Sequence, residues 1–117
     1  MLLVGYSYGA DVLPFIYADL PSETQKRVVR LDLLEFATSV DFEFHLSSWI
    51  DMNGTEARPT VPFVDALKGV EIRCIRGLEE EESACPQITS PSVRQIALPG
   101  DHHFNNDAKT VVDALLD

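Results

Sequence analysis

The stretch MLLVGYSYGADVLPF, residues 1–15, carries a G-x-S-x-G motif between a strand-like and a helix-like segment. An apolar run at residues 2–4 precedes the motif, and apolar residues follow it at helical spacing. A serine on such a strand-to-helix turn exposes its hydroxyl, flanking glycines leave room for the crowded turn, and the helix N-terminus directs N–H groups at the reaction centre. We therefore predict that Ser7 is a nucleophile; the alternative is a turn in which Ser7 only caps the helix.

The composition restricts the classes of function. A chain of 117 residues predicts one domain, and 45% hydrophobic with 24% charged residues is ordinary for a globular protein. The formal net charge of −10 argues against a nucleic-acid partner and gives no electrostatic reason to bind an anionic membrane. No apolar run approaches the roughly 18 residues of a transmembrane helix, and no signal peptide opens the chain. The abrupt start in a core-type strand predicts a fragment of a longer protein.

Strand-like and helix-like segments alternate along the rest of the chain. We expect strands at residues 27–36, 41–46, 70–75 and 93–98, helices at residues 10–20 and 63–67, and a closing helix capped by Asn106 or Asp107. His45 falls on the solvent side of its alternating strand rather than in a catalytic position. The alternation predicts a single α/β domain over residues 1–117, a mostly parallel sheet with helices on both faces.

Three loops that follow predicted strands each offer one component of an acyl-transfer site. Ser7 follows the first strand, the acidic run at residues 79–82 follows the strand at 70–75, and His102 with His103 follows the strand at 93–98. Functional residues of parallel sheets gather at the carboxyl ends of the strands. The chain order Ser, acid, His is that of α/β-hydrolases. We therefore predict a nucleophile, a general base and an orienting carboxylate.

Within the acid and histidine loops, alternatives stay open. Glu80 lies three residues after Gly77 and is preferred as the acid over Glu79 and Glu82. His102, two residues after Gly100, is preferred as the base, and His103 is the alternative. A metal site at Asp101, His102 and His103 is disfavoured because adjacent histidines tend to diverge, so we predict neither metal nor cofactor.

The oxyanion hole is predicted only in part. The Tyr8 N–H, which follows the nucleophile, supplies one donor, and the second normally comes from a loop after an early strand. The chain offers no such strand, so the nucleophile strand should lie at an open sheet edge. We expect this chain either to pair edge to edge with a second copy or to be part of a longer protein.

Four stretches together resemble the catalytic half of an α/β-hydrolase, and more closely the bacterial virulence protein VirJ/AcvB family. They are GYSYGADVLPF, DFEFHLSSW, the segment at residues 74–86 and LPGDHHF, which together span essentially the whole chain. The resemblance implies a three-layer hydrolase fold that lacks the N-terminal strands. It also implies a periplasmic location, an association with type IV secretion, and hydrolysis of acyl esters or aminoacyl-phospholipids. Asp101 departs from the family pattern, since glycine is common at that position.

The two cysteines and the overall function follow from the same resemblance. Cys74 and Cys85, 11 residues apart, fit either a disulfide or two free thiols, and the family pairing favours the disulfide. We expect a serine esterase that acts on a small-molecule or lipid ester. The alternative is a non-catalytic protein that keeps the fold and binds partners of the secretion system.

Overall fold

The sheet at the centre of the molecule has four parallel strands. The computed structural model describes residues 1–37, 39–40, 58–81 and 83–117. The strands of the sheet are β1 (Leu2–Tyr6), β2 (Arg30–Leu34), β5 (Glu71–Gly77) and β6 (Val93–Leu98), and they lie side by side in the order β1-β2-β5-β6. A separate antiparallel pair joins β3 (Ser39–Val40) to β4 (Arg58–Pro59). The parallel register places the carboxyl ends of all four sheet strands at one edge of the molecule.

Helices cover both faces of this sheet. The helices are α1 (Tyr8–Asp19), α2 (Ser22–Gln25), α3 (Val61–Ala66) and α4 (Ala108–Leu116), and two 3₁₀ turns lie at Cys85–Gln87 and Phe104–Asn106. On one face, α1 and α3 pack against a core that includes Leu31, Leu33 and Ile72. On the other face, α4 packs against Leu34 and Ile75. The predicted α/β fold with a helix-flanked parallel sheet is confirmed.

Several predicted boundaries need correction. The strand expected at residues 27–36 is shorter at both ends, since β2 spans only Arg30–Leu34. The first helix spans Tyr8–Asp19 rather than residues 10–20. It begins earlier because the Ser7 carbonyl oxygen already accepts from the N–H groups of Ala10 and Asp11. The helix expected at residues 63–67 spans Val61–Ala66, and the strand expected at 70–75 spans Glu71–Gly77. The strand at residues 93–98 is confirmed, whereas the strand at 41–46, with His45, lies outside the described residues.

The start of the closing helix follows from a side-chain cap. Asp107 is the N-cap of α4, and its Oδ1 accepts a hydrogen bond of 3.1 Å from the Thr110 N–H. This contact satisfies one of the N–H groups that a helix leaves unpaired at its first turn. Of the two caps that the sequence offered, the structure therefore selects Asp107.

A buried ionic cluster fastens the end of α4 to the sheet. The Asp32 carboxylate is fully buried, and two guanidinium groups bind it in bidentate fashion, at 2.9 and 2.8 Å from Arg73 and at 2.9 and 3.2 Å from Arg30. Both arginines also donate to the Leu115 carbonyl oxygen, at 3.3 Å from Arg73 and 2.8 Å from Arg30. Hydrogen bonding to Asp32 raises the pKa of the Arg73 guanidinium, which stays charged. Buried charges persist only when they are paired in this way.

Two further features bear on the sequence predictions. Cys74 of β5 and Cys85 are joined by a disulfide, and both residues are fully buried. Strand β1 lies at an edge of the sheet, with Val4 and Tyr6 46% and 41% exposed. Pairing of this edge with a second copy stays a prediction. Within the described residues, no helix combines the length and the apolar character that crossing a membrane requires.

Candidate active site

Ser7 lies on a sharp turn between β1 and α1 with a backbone conformation that is rare for a side-chain-bearing residue. Its φ is +55° and its ψ −117°, and its N–H donates to the Leu34 carbonyl oxygen at 2.8 Å. Positive φ costs a non-glycine residue about 1–3 kcal/mol and is found most often at functional sites. The turn also places Ser7 at the N-terminus of α1, where the Tyr8 N–H begins the helix. This is the geometry of a nucleophile elbow.

The two glycines of the motif play unequal parts in this turn. A Cβ at position 5 would lie 2.5 Å from the Gly9 carbonyl oxygen. Real Cβ atoms do not come so close to another atom, so the backbone would have to shift to make room. A Cβ at position 9 would meet nothing within 4 Å in the described part of the chain. The expectation that both flanking glycines leave room is therefore correct for Gly5 and wrong for Gly9.

We expect Gly5→Ala and Gly9→Ala to differ sharply in stability. Crowding against the elbow should cost Gly5→Ala about 1–3 kcal/mol in the free energy of unfolding, as overpacked sites do. Gly9→Ala should change it little or raise it, because alanine is the better helix former. Urea unfolding of both variants, followed by circular dichroism, makes the measurement. Equal losses in the two variants would contradict this account of the turn.

A chain of hydrogen bonds links Ser7 to an acid through a histidine. Ser7 Oγ lies 3.0 Å from His102 Nε2, and His102 Nδ1 lies 2.8 Å from Glu80 Oε2. An ionised carboxylate only accepts, so Nδ1 carries the proton and donates to Glu80, which leaves Nε2 to accept from the Ser7 hydroxyl. The side chain of His102 is 38% exposed and that of Glu80 14%. The structure thus brings together the three preferred residues of the sequence prediction.

The alternative residues take other positions. His103 is exposed, and its Nδ1 lies 3.1 Å from the Tyr6 hydroxyl instead of near Ser7. Glu79 is exposed on the turn after β5, where its backbone N–H donates to the Gly100 carbonyl oxygen at 2.9 Å. Glu82 lies outside the described residues.

The histidine loop is held over the sheet by three local contacts. Gly77 and the loop after β6 approach so closely that a Cβ on Gly77 would lie 2.5 Å from the Gly100 carbonyl oxygen. The Tyr6 hydroxyl donates to the His102 carbonyl oxygen at 2.6 Å, and burial, followed by the charge of Glu35, raises the Tyr6 pKa, so the hydroxyl keeps its proton. The Asp101 carboxylate accepts from the N–H groups of Asn105 and His103, and these bonds lower its pKa. His102 therefore has a fixed direction of approach to Ser7.

A second carboxyl group, which the sequence prediction missed, lies against the same histidine. Glu35 follows β2 directly, is 3% exposed, and has Oε2 at 3.4 Å from His102 Nδ1. Its backbone φ is +57°. The predicted strand ran through residue 36 and so placed Glu35 inside it. A charged residue directly after the apolar run Leu33-Leu34 was the available signal.

Three side chains at the site lie close enough together to be considered as metal ligands. Within the described residues, Glu35, Glu80 and His102 each offer one ligand atom, and these atoms lie within 4.8 Å of one another. Asp101 and His103, which the sequence raised as ligands beside His102, are not part of this set. Both ring nitrogens of His102 already have partners in Ser7 and Glu80. The arrangement is therefore suited to proton transfer from the serine hydroxyl.

Comparisons with known proteins show the family of this chain and the fold that it shares. The sequence profile described as bacterial virulence protein (VirJ) matches residues 1–117. No curated protein matches the chain. Among solved structures, the chain is similar to a thioesterase domain from the curacin biosynthetic pathway, with a TM-score of 0.66 and 15% identity over 100% of this chain and 66% of that one. It is also similar to a marine microorganism esterase, with a TM-score of 0.58 and 15% identity over 98% of this chain and 68% of that one.

At 15% identity these likenesses establish the fold. The chain spans 66% of the length of the thioesterase domain that it matches. Its parallel sheet, its elbow and its structural neighbours identify the fold as that of an α/β-hydrolase. By the match over its full length, the chain belongs to the VirJ family of bacterial virulence proteins.

Proposed function

We propose that this chain is a serine hydrolase of carboxylic esters. The observation that carries the proposal is the hydrogen-bonded series Ser7, His102 and Glu80, with Ser7 on a positive-φ turn at the start of α1. A nucleophile, a base within one hydrogen bond and a carboxylate that orients the base are the parts that acyl transfer needs. The esterase and thioesterase folds among its structural neighbours support a reaction of this class.

The proposed reaction has two halves. Ser7 Oγ attacks the ester carbonyl carbon while His102 Nε2 takes the hydroxyl proton, and the Tyr8 N–H donates to the developing oxyanion. The tetrahedral intermediate then expels the alcohol, which receives the proton from His102, and Ser7 is left acylated. A water molecule then attacks the acyl carbonyl carbon while His102 takes its proton. The second tetrahedral intermediate releases the carboxylic acid, and His102 returns the proton to Ser7 Oγ. Glu80 accepts from Nδ1–H throughout and stabilises the imidazolium.

The substrate and the location are proposed from family membership. We propose a small-molecule or lipid ester, with aminoacyl-phospholipids as the first class to test. Export to the periplasm and association with a type IV secretion system are further proposals from the same resemblance. The buried Cys74–Cys85 disulfide supports an oxidising compartment, where such bonds persist.

Labelling with a fluorophosphonate probe tests the proposed function. Wild type should be labelled covalently, and Ser7→Ala should not, because the attacking oxygen is gone. His102→Ala should be labelled at least about 10⁴-fold more slowly than wild type, since the Ser7 hydroxyl then lacks its base. The measurement is the rate of labelling at a fixed probe concentration, on samples whose circular dichroism shows them folded.

Two further variants separate this site from its surroundings. Ser22→Ala removes an exposed serine of α2 and should label like wild type. His103→Ala should keep most of the labelling, because the His103 ring hydrogen-bonds the Tyr6 hydroxyl and touches His102 only by an edge-on ring contact, with 5.3 Å between the centroids. Folded wild type that takes no label would contradict the proposal and favour the partner-binding alternative.

A further inference from the structure

Glu35 is a buried carboxyl group with one oxygen that has no hydrogen-bond partner among the described residues. Its Oε1 accepts from the Gly77 N–H, whereas Oε2 is buried and unpaired. The side chain of Glu35 is 0% exposed. Leaving a buried acceptor unsatisfied costs about 1–3 kcal/mol, and more when the group is charged. Such a group in a native fold calls for an explanation.

The unpaired oxygen is directed at the site histidine. Glu35 Oε2 lies 3.4 Å from His102 Nδ1, the same nitrogen that lies 2.8 Å from Glu80 Oε2. The two acids come from different elements, since Glu35 follows β2 and Glu80 lies on the turn after β5. Burial raises the pKa of Glu35, and the nearby charge of Glu80 raises it further. The Gly77 N–H and His102 lower this pKa, but by less than the other two raise it. The imidazole thus stands between a fixed, buried acid and a partly exposed one.

We propose that Glu35 is a second positioning acid for His102, so that either Glu35 or Glu80 can accept the Nδ1 proton and hold the imidazole toward Ser7. A shift of under 1 Å would bring Glu35 Oε2 from 3.4 Å to the 2.7–2.9 Å of a charge-assisted hydrogen bond. Glu35 cannot move away, because the Gly77 N–H holds its other oxygen. We call this pair of alternative acceptors, Glu35 and Glu80, the duplication. Its role in catalysis rests on the proposed hydrolase function, whereas the presence of two acceptors for the Nδ1 proton does not.

The tautomer of neutral His102 shows whether Glu35 can accept the Nδ1 proton, and measuring it requires no enzymatic activity. In ¹⁵N-labelled protein at alkaline pH, wild-type His102 should show Nδ1–H, as Glu80 and Glu35 both accept only. Glu80→Ala should keep the Nδ1–H tautomer, because Glu35 Oε2 becomes its acceptor. In Glu80→Ala with Glu35→Gln, the glutamine oxygen takes the Gly77 N–H and its NH₂ faces Nδ1, so the proton should move to Nε2. The His102→Ala variant assigns the signals.

The labelling rate should show the same pattern. We expect about a tenfold loss for Glu80→Ala and a smaller loss for Glu35→Gln. The double variant should approach the roughly 10⁴-fold loss seen when a triad acid is made useless. Because one acid substitutes for the other, the double loss should exceed the product of the two single losses. Glu79→Ala, on the same turn as Glu80 but exposed, should label like wild type.

The outcomes are distinguishable. If Glu80→Ala alone already shows the Nε2–H tautomer, Glu35 is not an acceptor for His102 and the inference is overturned, even if Glu35→Gln fails to fold. A double loss no larger than the product of the single losses would overturn it as well. If wild type takes no label but Glu80→Ala keeps Nδ1–H, the duplication stands and the proposed hydrolase function fails.

Discussion

Asp32→Ala is expected to lower the free energy of unfolding by about 3–5 kcal/mol, the loss typical of breaking a buried ion pair from one side. The carboxylate is fully buried and accepts from both Arg73 and Arg30. Its removal leaves the Arg73 side chain, which is only 3% exposed, charged and without its carboxylate inside the fold. Most small domains have only about 5–15 kcal/mol in total, so the variant should lose a large share of its stability. Urea titration followed by circular dichroism gives the value.

An exposed acid of α4 serves as the control for Asp32. Asp113 pairs with Lys109 at 2.9 Å, with its side chain 62% exposed. Asp113→Ala should change stability by no more than about 0.5 kcal/mol, since exposed pairs contribute little. A loss below about 1 kcal/mol for Asp32→Ala would show that the arginines find water or other acceptors, and would contradict the account of the cluster.

Asp11→Asn is expected to remove a pH dependence of stability that the wild type carries. Burial raises the pKa of the Asp11 carboxyl from 3.8 to about 6, although the Ala37 N–H and His102 both lower it. A raised pKa means that the folded state holds the proton more tightly than the unfolded chain. The contribution of Asp11 to stability is therefore complete below pH 3.8 and is lost as the pH rises to about 6. The whole loss amounts to about 3 kcal/mol at most.

The measurement is the difference in unfolding free energy between Asp11→Asn and wild type from pH 4 to pH 8. The asparagine oxygen can still accept from the Ala37 N–H, which Asp11 Oδ1 accepts at 2.7 Å. The variant should match wild type at low pH and become more stable above pH 6. Asp19→Asn, at the exposed end of the same helix, is the control for the change of charge itself. A difference that stays constant with pH for Asp11→Asn would contradict the burial effect.

The sequence was most informative where local pattern and chemistry coincide. Ser7, Glu80 and His102 each follow a strand whose apolar composition is readable, and the order of the three is that of one hydrolase class. The chain order therefore predicted which side chains the parallel sheet brings together. Which of the two histidines faces Ser7 depends on the conformation of their loop. That conformation is held by the Tyr6 hydroxyl, which is distant in sequence, and by the Asp101 carboxylate within the turn itself.

The position of Glu35 beside His102 could not be predicted from the sequence, because it depends on pairing between strands. Glu35 leaves the strand because the parallel ladder ends at the Leu34–Ile75 pair, after which the Glu35 N–H donates to the Ile75 carbonyl oxygen at 2.9 Å. Neither that pairing nor a positive φ at a glutamate can be read from the apolar run itself. Asp11 is similar, because the Ala37 N–H that donates to its carboxylate lies 26 residues away in sequence.

The asymmetry between Gly5 and Gly9 affects how relatives of this chain should be sought. Packing excludes a side chain at Gly5, where backbone fills the space, and leaves open space for one at Gly9. Alanine at the last position of the motif is thus compatible with the same elbow. A search pattern that demands both glycines would therefore miss any homologue with alanine at the last position, whereas G-x-S-x-[GA] would retain it.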